Sequence, residues 1–289
     1  MSRWTARDMP GLTGRNAIVT GANTGIGLPT ALELARHGAR VTVASRDPGK
    51  GRAAVAEILR AVPGAEVGYG RLDLADLASV REFAASVERV DLLVNNAGIG
   101  MVPRALTRDG FELQFGTNHL GHFALTGLLL PHLLERPGAR VVTVSSDAHK
   151  VGRIDFDDLA LTRGYGKMSA YGRSKLANLL FALELQRQAT RAGTGLLSVA
   201  THPGMTATNI FSAGPLQGLV RLLLQPAFAG AVPSLYAATS PAIRGGEYIG
   251  PKARTLTPAP AARDEALAVR LWEVSAELTG VTFSQIAYR

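Results

Sequence analysis

A short apolar run, Asn16-Ala-Ile-Val-Thr20, feeds directly into Gly21-Ala-Asn23-Thr24-Gly25-Ile26-Gly27, and a helical pattern follows from Leu28 to His37. Strand, glycine loop and helix in that order leave few folds open. Gly21 permits a tight turn, Gly25 lets backbone approach a pyrophosphate, and Gly27 lets the helix pack on the strand. The helix N-terminus then offers free N–H groups to phosphates. A glycine triplet alone says little, but here it stands in the strand-to-helix context that the chemistry requires.

Downstream, further apolar runs read as strands: Arg40 to Ala44, Glu66 to Leu72, Asp91 to Asn95, Ala139 to Val144, Leu196 to Thr201 and the short Glu247 to Ile249. Helical stretches lie between them, including Gly49 to Ala61, a segment running to Leu134, Ala170 to Gln188 and a final amphipathic helix from Glu265 to Thr279. Alternation of this kind builds a parallel sheet. Without a repeat, a low-complexity tract or a linker, residues 1–289 read as one domain.

Within Ala170 to Gln188, Tyr171 and Lys175 stand four residues apart and so share one helix face. An ammonium near a phenol favours the phenolate, so the Tyr171 pKa is expected to fall from about 10 toward working pH, making it a general acid/base candidate. Such a pair is common on surface helices, and its weight comes from the motifs around it. Tyr165, a rival phenol, has no lysine four residues on.

Those motifs resemble the short-chain dehydrogenase/reductase family. The segment Thr20 to Gly27 is similar to its cofactor loop, with glycines spaced G-x3-G-x-G, and Tyr171/Lys175 match its YxxxK pair. The Asn95-Asn-Ala97-Gly98 run matches the family's NNAG, whose first Asn steadies the sheet and whose Ala-Gly backbone passes the cofactor. Asn118 falls at the tetrad asparagine that holds a helix kink and a water leading to the lysine. Ser146, following a hydrophobic-x-hydrophobic-x pattern, matches the carbonyl-binding serine, with Ser145 structural. Asp73-Leu74 matches the adenine contact, although Asp73 also reads as a helix cap. Pro203, Gly204, Thr206 and Thr208 fall in the loop that meets the nicotinamide carboxamide.

The long segment between Ser146 and Tyr171, Ser-Ser-x-Ala-His149 and Tyr171-x-x-Ser-Lys-Leu-Ala-Asn178 look most like the branch of retinol dehydrogenases and WW-domain oxidoreductases. Protochlorophyllide reductases share much of the pattern. The resemblance covers Asn16 to Leu278 and implies a doubly wound, Rossmann-type α/β fold, with seven mainly parallel strands and helices on both faces. It implies reversible hydride transfer between a nicotinamide and a carbonyl/alcohol pair. Residues 211–240 fall where the family keeps a substrate lid, and the apolar stretch 211–232 implies a lipophilic substrate, a buried helix pair, a subunit contact or a membrane-surface contact. The alternatives are reduction of an activated C=C bond, or a protein that senses NADP without chemistry. A homo-oligomer is expected from the resemblance alone.

The second strand ends Ala44-Ser45-Arg46, with a cation where an adenosine 2′-phosphate would sit, so NADP is expected rather than NAD. Asp47, a potential ribose carboxylate, reads instead as an N-cap before Pro48. His119 and His122 have a metal-compatible spacing but no third ligand, so no metal is expected. The acids Asp155, Asp157 and Asp158 read as a solvated loop.

With no cysteine, thiolate chemistry is excluded and a reducing cytoplasm is compatible. The segment Met1 to Arg15 lacks a signal peptide's apolar run, and the longest apolar stretches fall short of a membrane span. The net charge of +8 is spread along the chain without a basic run, which argues against nucleic acid.

Overall fold

The computed structural model describes residues 4–204 and 227–286. Eight strands form one sheet among these residues, in the order β3-β2-β1-β4-β5-β6-β7-β8. In chain order they are β1 (Asn16–Thr20), β2 (Arg40–Ser45), β3 (Val67–Arg71), β4 (Leu92–Asn95), β5 (Arg140–Val144), β6 (Leu197–Thr201), β7 (Tyr248–Gly250) and β8 (Arg254–Thr255). Neighbours from β3 through β7 pair parallel, and only β8 runs antiparallel, against β7. The two-residue β8 is the strand beyond the seven expected; two residues carry no periodicity to read.

Parallel neighbours need crossovers, and these are helices on both faces. One face carries α1 (Gly27–Arg36), α2 (Pro48–Ala61) and, late in the chain, α7 (Ala227–Thr239). The other carries α3 (Leu77–Ala85), α5 (Gly121–Leu134), α6 (Lys167–Arg191) and α8 (Glu265–Thr279), with the single-turn α4 (Leu113–Phe115) leading into α5. Thus residues 227–239 of the stretch expected as a lid form a helix whose Ala231, Leu235 and Ala238 join the core beside α1. Residues 205–226, including Thr206 and Thr208, lie outside the described residues.

Local chemistry explains the element ends. Asp47 accepts a hydrogen bond from Lys50 N–H at 3.0 Å with Pro48 in the first turn, so it caps α2 as expected. Asp76, not Asp73, caps α3, while Asp73 accepts from Ala75 N–H at 3.0 Å in a tight turn before it. The all-round apolar α5 is buried between the sheet and an aromatic cluster of Phe123, Phe181, Trp272 and Phe283. Each such ring or leucine contributes about 1.5–3 kcal/mol on burial, which outweighs the lack of an amphipathic pattern. No described helix is long and apolar enough to cross a membrane.

In the acid cluster Asp155 and Asp157 are exposed as expected, and Asp158 departs from expectation. Asp158 is only 9% exposed and accepts from Thr162 N–H, Thr162 hydroxyl and Arg163 N–H at 2.8–3.0 Å. These bonds hold its carboxyl well below the usual range.

At the N-terminal ends of β1 and β4, Asp91 is fully buried and accepts from Asn16 N–H at 2.9 Å and from Arg15 Nη1 at 3.1 Å, with Arg136 and Arg89 beside it. Burial alone would raise its pKa, but the bonds from Asn16, Arg15 and Arg136 keep it ionised and lowered. Nothing in the sequence singles out this node. Replacing Asp91→Ala strands part-buried donors, and because the three arginines are 32–44% exposed the expected loss is about 1–3 kcal/mol. Thermal unfolding checks this; dinucleotide affinity should stay unchanged, since the node lies at the opposite edge from the loops that follow the strands.

Candidate active site

Strand order reverses between β1 and β4, so the loops after these strands face each other at the switch point. They touch. A Cβ built on Gly21, whose φ is +65°, would lie 2.9 Å from Ala97 Cα. At Gly27 a Cβ would lie 2.6 Å from both Gly21 O and the Asn96 amide nitrogen. The α1 N-cap is Ile26, which supplies no side-chain cap, and the first turn carries no acid. Bare backbone at an uncapped helix end fits an anionic diphosphate, with Asn23, Thr24 and Gly25 on the same loop. Arg46 is exposed at the end of β2.

The Thr20 hydroxyl holds the two loops together. It accepts from the Asn96 and Ala97 N–H groups, each at 2.9 Å, and meets His122 Nε2 at 2.9 Å. His122 Nδ1 lies 2.9 Å from Asn118 O, a carbonyl, so Nδ1 carries the proton and Nε2 accepts from Thr20. Burial lowers the His122 pKa to about 4 and the His119 pKa to about 3, so both rings are neutral. His119 bonds Ser275 Oγ at 2.9 Å and packs on Phe115. Among the described residues no group of three or more His, Asp or Glu side chains is placed to hold a metal. The Asn95 amide donates to Thr126 Oγ1 at 3.0 Å, and the sheet-bridging bond, 2.7 Å to Thr20 O, comes from Asn96.

Asn118 lies in a π turn, Gly116–Leu120, between α4 and α5. The extra residue in this turn lets its amide point out of the helix. There its Oδ1 accepts from Ile99 N–H and its Nδ2 donates to Ile99 O, both at 2.8 Å, and Nδ2 also reaches Ser174 Oγ at 2.9 Å. Next to it, a Cβ on Gly98 would sit 3.3 Å from Asn118 Oδ1 and 3.4 Å from Lys175 Nζ. Glycine at 98 keeps that corridor open.

From the other side α6 presents Tyr171 and Lys175, both nearly fully buried. Lys175 Nζ donates to Val144 O at 3.1 Å and lies 5.6 Å from the Tyr171 ring centroid. The Ser146 hydroxyl is the group that faces the Tyr171 phenol and opposes the effect of its burial. Ser146 Oγ also accepts from Ala148 N–H at 3.2 Å, whereas Ser145 Oγ donates into the helix at Lys175 O, 2.7 Å. Tyr165 is engaged elsewhere, donating to Val102 O at 2.9 Å.

The expected fall in the Tyr171 pKa is corrected by this geometry. Burial raises it, and the opposing influence is the Ser146 hydroxyl rather than the lysine, whose Nζ faces the ring and a carbonyl. Lys175 itself is pushed down to about 8 by burial.

Helix α6 is fixed by an ion pair the sequence does not reveal. Arg173, 1% exposed, meets Glu112 Oε2 at 3.2 Å, while the Glu112 carboxylate also caps α4 through Gln114 and Phe115 N–H. This pair ties the helix carrying Tyr171 to the turn carrying Asn118.

An edge shaped in this way accommodates a dinucleotide, and the class it defines is the dinucleotide-dependent oxidoreductases. The chain belongs to the short-chain dehydrogenase/reductase family, in its retinol-dehydrogenase-like branch. A family model described as short chain dehydrogenase matches residues 15–215. Human retinol dehydrogenase 13 is 45% identical across 93% of this chain and 86% of its own length. Mouse retinol dehydrogenase 12 is 44% identical over 93% and 88%. Among solved structures, an uncharacterized protein from Mycobacterium paratuberculosis superposes with a TM-score of 0.83 at 45% identity, covering 98% of this chain and 99% of that one.

A lysine kept charged in this interior costs stability. Because its folded pKa is lowered, the cost is complete below about pH 8 and recedes as pH rises toward the unfolded value near 10.5. Lys175→Met leaves Val144 O its second donor, the Asn178 amide at 3.1 Å. It should therefore stabilise the unliganded protein at pH 7, by on the order of 2–3 kcal/mol, with the gain shrinking above pH 8 in urea titrations.

Proposed function

We propose that this protein is an NADP(H)-dependent oxidoreductase that interconverts a carbonyl and an alcohol on a lipophilic small molecule. The observation that carries the reading is the buried Tyr171 phenol with the Lys175 Nζ 5.6 Å from its ring centroid and Ser146 at the end of the neighbouring strand. In the reducing direction Ser146 Oγ holds the substrate oxygen, and Tyr171 delivers a proton to it. Lys175 supplies positive charge beneath the phenol as its proton leaves, and Asn118 keeps the route between the amide corridor and the lysine open. The cofactor, when bound, supplies or accepts the hydride at the adjacent carbon.

For the dinucleotide, Gly21, Asn23, Thr24, Gly25, Ile26 and Gly27 would hold the diphosphate at the α1 N-terminus. Asp73 and Leu74 would flank the adenine, and Asn95, Ala97, Gly98, Tyr171, Lys175, Pro203 and Gly204 the nicotinamide end. NADP is favoured over NAD because Arg46 is exposed at the β2 end while the neighbouring carboxylate, Asp47, is committed to the α2 cap. The lipophilic substrate is supported by the names of the relatives, retinol dehydrogenases 12 and 13. Exposed Val151 and Met168, flanking the Tyr171 end of α6, are consistent with an apolar approach to the site.

Turnover of a lipophilic aldehyde and ketone panel with NADPH should fall about 10²–10⁴-fold in Tyr171→Phe, with NADPH binding retained in fluorescence titration. Wild-type activity in that variant would remove Tyr171 from the chemistry. Arg46→Asp should weaken NADPH far more than NADH; equal effects on the two would sink the NADP assignment.

A further inference from the structure

His149 is buried, 1% exposed, one turn beyond Ser146 in the short helix Asp147–Val151 that Ser146 caps. Its Nδ1 lies 2.7 Å from Ser146 O, and Ala259 N–H reaches its Nε2 at 3.2 Å. A carbonyl only accepts and a backbone N–H only donates, so the ring is neutral, with the proton on Nδ1. It stitches the Ser146 backbone to the stretch after β8, and Tyr248 packs edge-on against it at 5.5 Å between centroids.

A second histidine braces the same turn from the opposite side. His202 Nε2 meets Asp147 Oδ2 at 3.0 Å, and its Nδ1 accepts from Gly204 N–H at 3.4 Å. The serine is therefore held through its own carbonyl by His149 and through its neighbour's carboxylate by the loop after β6. Protonating His149 Nε2 would set N–H against N–H at Ala259 and break one of these two braces.

We propose that His149, as the neutral Nδ1–H tautomer, is a positioning residue that anchors the turn carrying Ser146 to the stretch after β8, and that protonation of its Nε2 breaks that anchor at Ala259. The proposal rests on the role given to Ser146 above. The ionisable groups around the ring are Asp147 and Lys150 on its own turn, His202 after β6 and Tyr248 on β7. Burial lowers the His149 pKa below the usual value of 6.5, with the bond to Ser146 O opposing, so the neutral form holds at neutral pH.

The first test needs no substrate. The Tyr171 phenol is titrated by ultraviolet absorbance in the unliganded protein, as the difference between wild type and Tyr171→Phe, and again in the His149→Ala background. Because Ser146 is the group that pulls the Tyr171 pKa down, its midpoint should move to higher pH in His149→Ala and less so in His149→Asn, which keeps a donor toward Ser146 O. An unchanged midpoint in both variants would overturn the proposal, even if no substrate is ever found.

The second test is kinetic. His149→Ala should lose about tenfold or more in kcat while NADPH affinity, read by fluorescence, stays within about twofold. His149→Asn should recover most of the loss at pH 7.5 and lack the wild-type decline in kcat on the acid side. If His149→Ala does not fold, the asparagine variant decides alone: an acid decline like that of wild type would count against the proposal. Wild-type protein that binds NADPH without turning over any substrate would defeat the proposed function, leaving the phenol titration to judge this inference separately.

Discussion

Parallel pairing is the constraint on which the site depends. Strands that all run one way must each be followed by a crossover, and so every loop after a strand emerges at the same edge. The phosphate-binding candidate loop after β1, Arg46 after β2, the Asn-Ala-Gly turn after β4, Ser146 after β5 and His202 after β6 therefore share one rim. The reversal of strand order between β1 and β4 separates their helices and opens the crevice there. No side chain needs to be invoked for this convergence.

Within that frame, the polar interior is organised around single atoms that serve several partners. The Thr20 hydroxyl accepts from two backbone N–H groups and gives its proton to His122, whose other nitrogen reaches Asn118 O. Val144 O receives both Lys175 and Asn178. Unpaired buried donors are expensive, so such nodes rigidify the loops they join. The two histidines of i, i+3 spacing are part of this interior: both nitrogens of His122 and Nε2 of His119 bond to neighbours, and burial keeps the rings neutral.

Electrostatics separates the two sides of the proposed reaction centre. Burial pushes Tyr171 up and Lys175 down, which inverts their order in water, so that the phenol holds its proton more tightly than the ammonium does. The Ser146 hydroxyl is the contact that opposes the rise at the phenol, and this makes the serine's placement matter beyond its own contact with a substrate oxygen. The braces from His149 and His202 act on that placement, and the buried Arg173–Glu112 pair does the same for the helix that carries the phenol.

Sequence alone determined the α/β class, the first strand–loop–helix unit, the Asp47 cap and the shared helix face of Tyr171 and Lys175, because glycine spacing, strand-length apolar runs and one-turn spacing on a helix are local properties, whereas Asn118 and Ser146 were legible only through the family resemblance. The structure left these intact and changed what depends on distance across the chain. It added the two-residue β8, gave the sheet-bridging bond to Asn96, made Asp158 a turn-holding buried acid, and reversed the direction of the Tyr171 shift. Asp91, the Arg173–Glu112 pair and the histidine braces have no sequence signature, since their partners lie tens of residues or more away and any acid, base or imidazole reads alike until folding decides which is buried. Burial and partner distance are tertiary quantities, and they set both the protonation states and the geometry from which the chemistry is inferred.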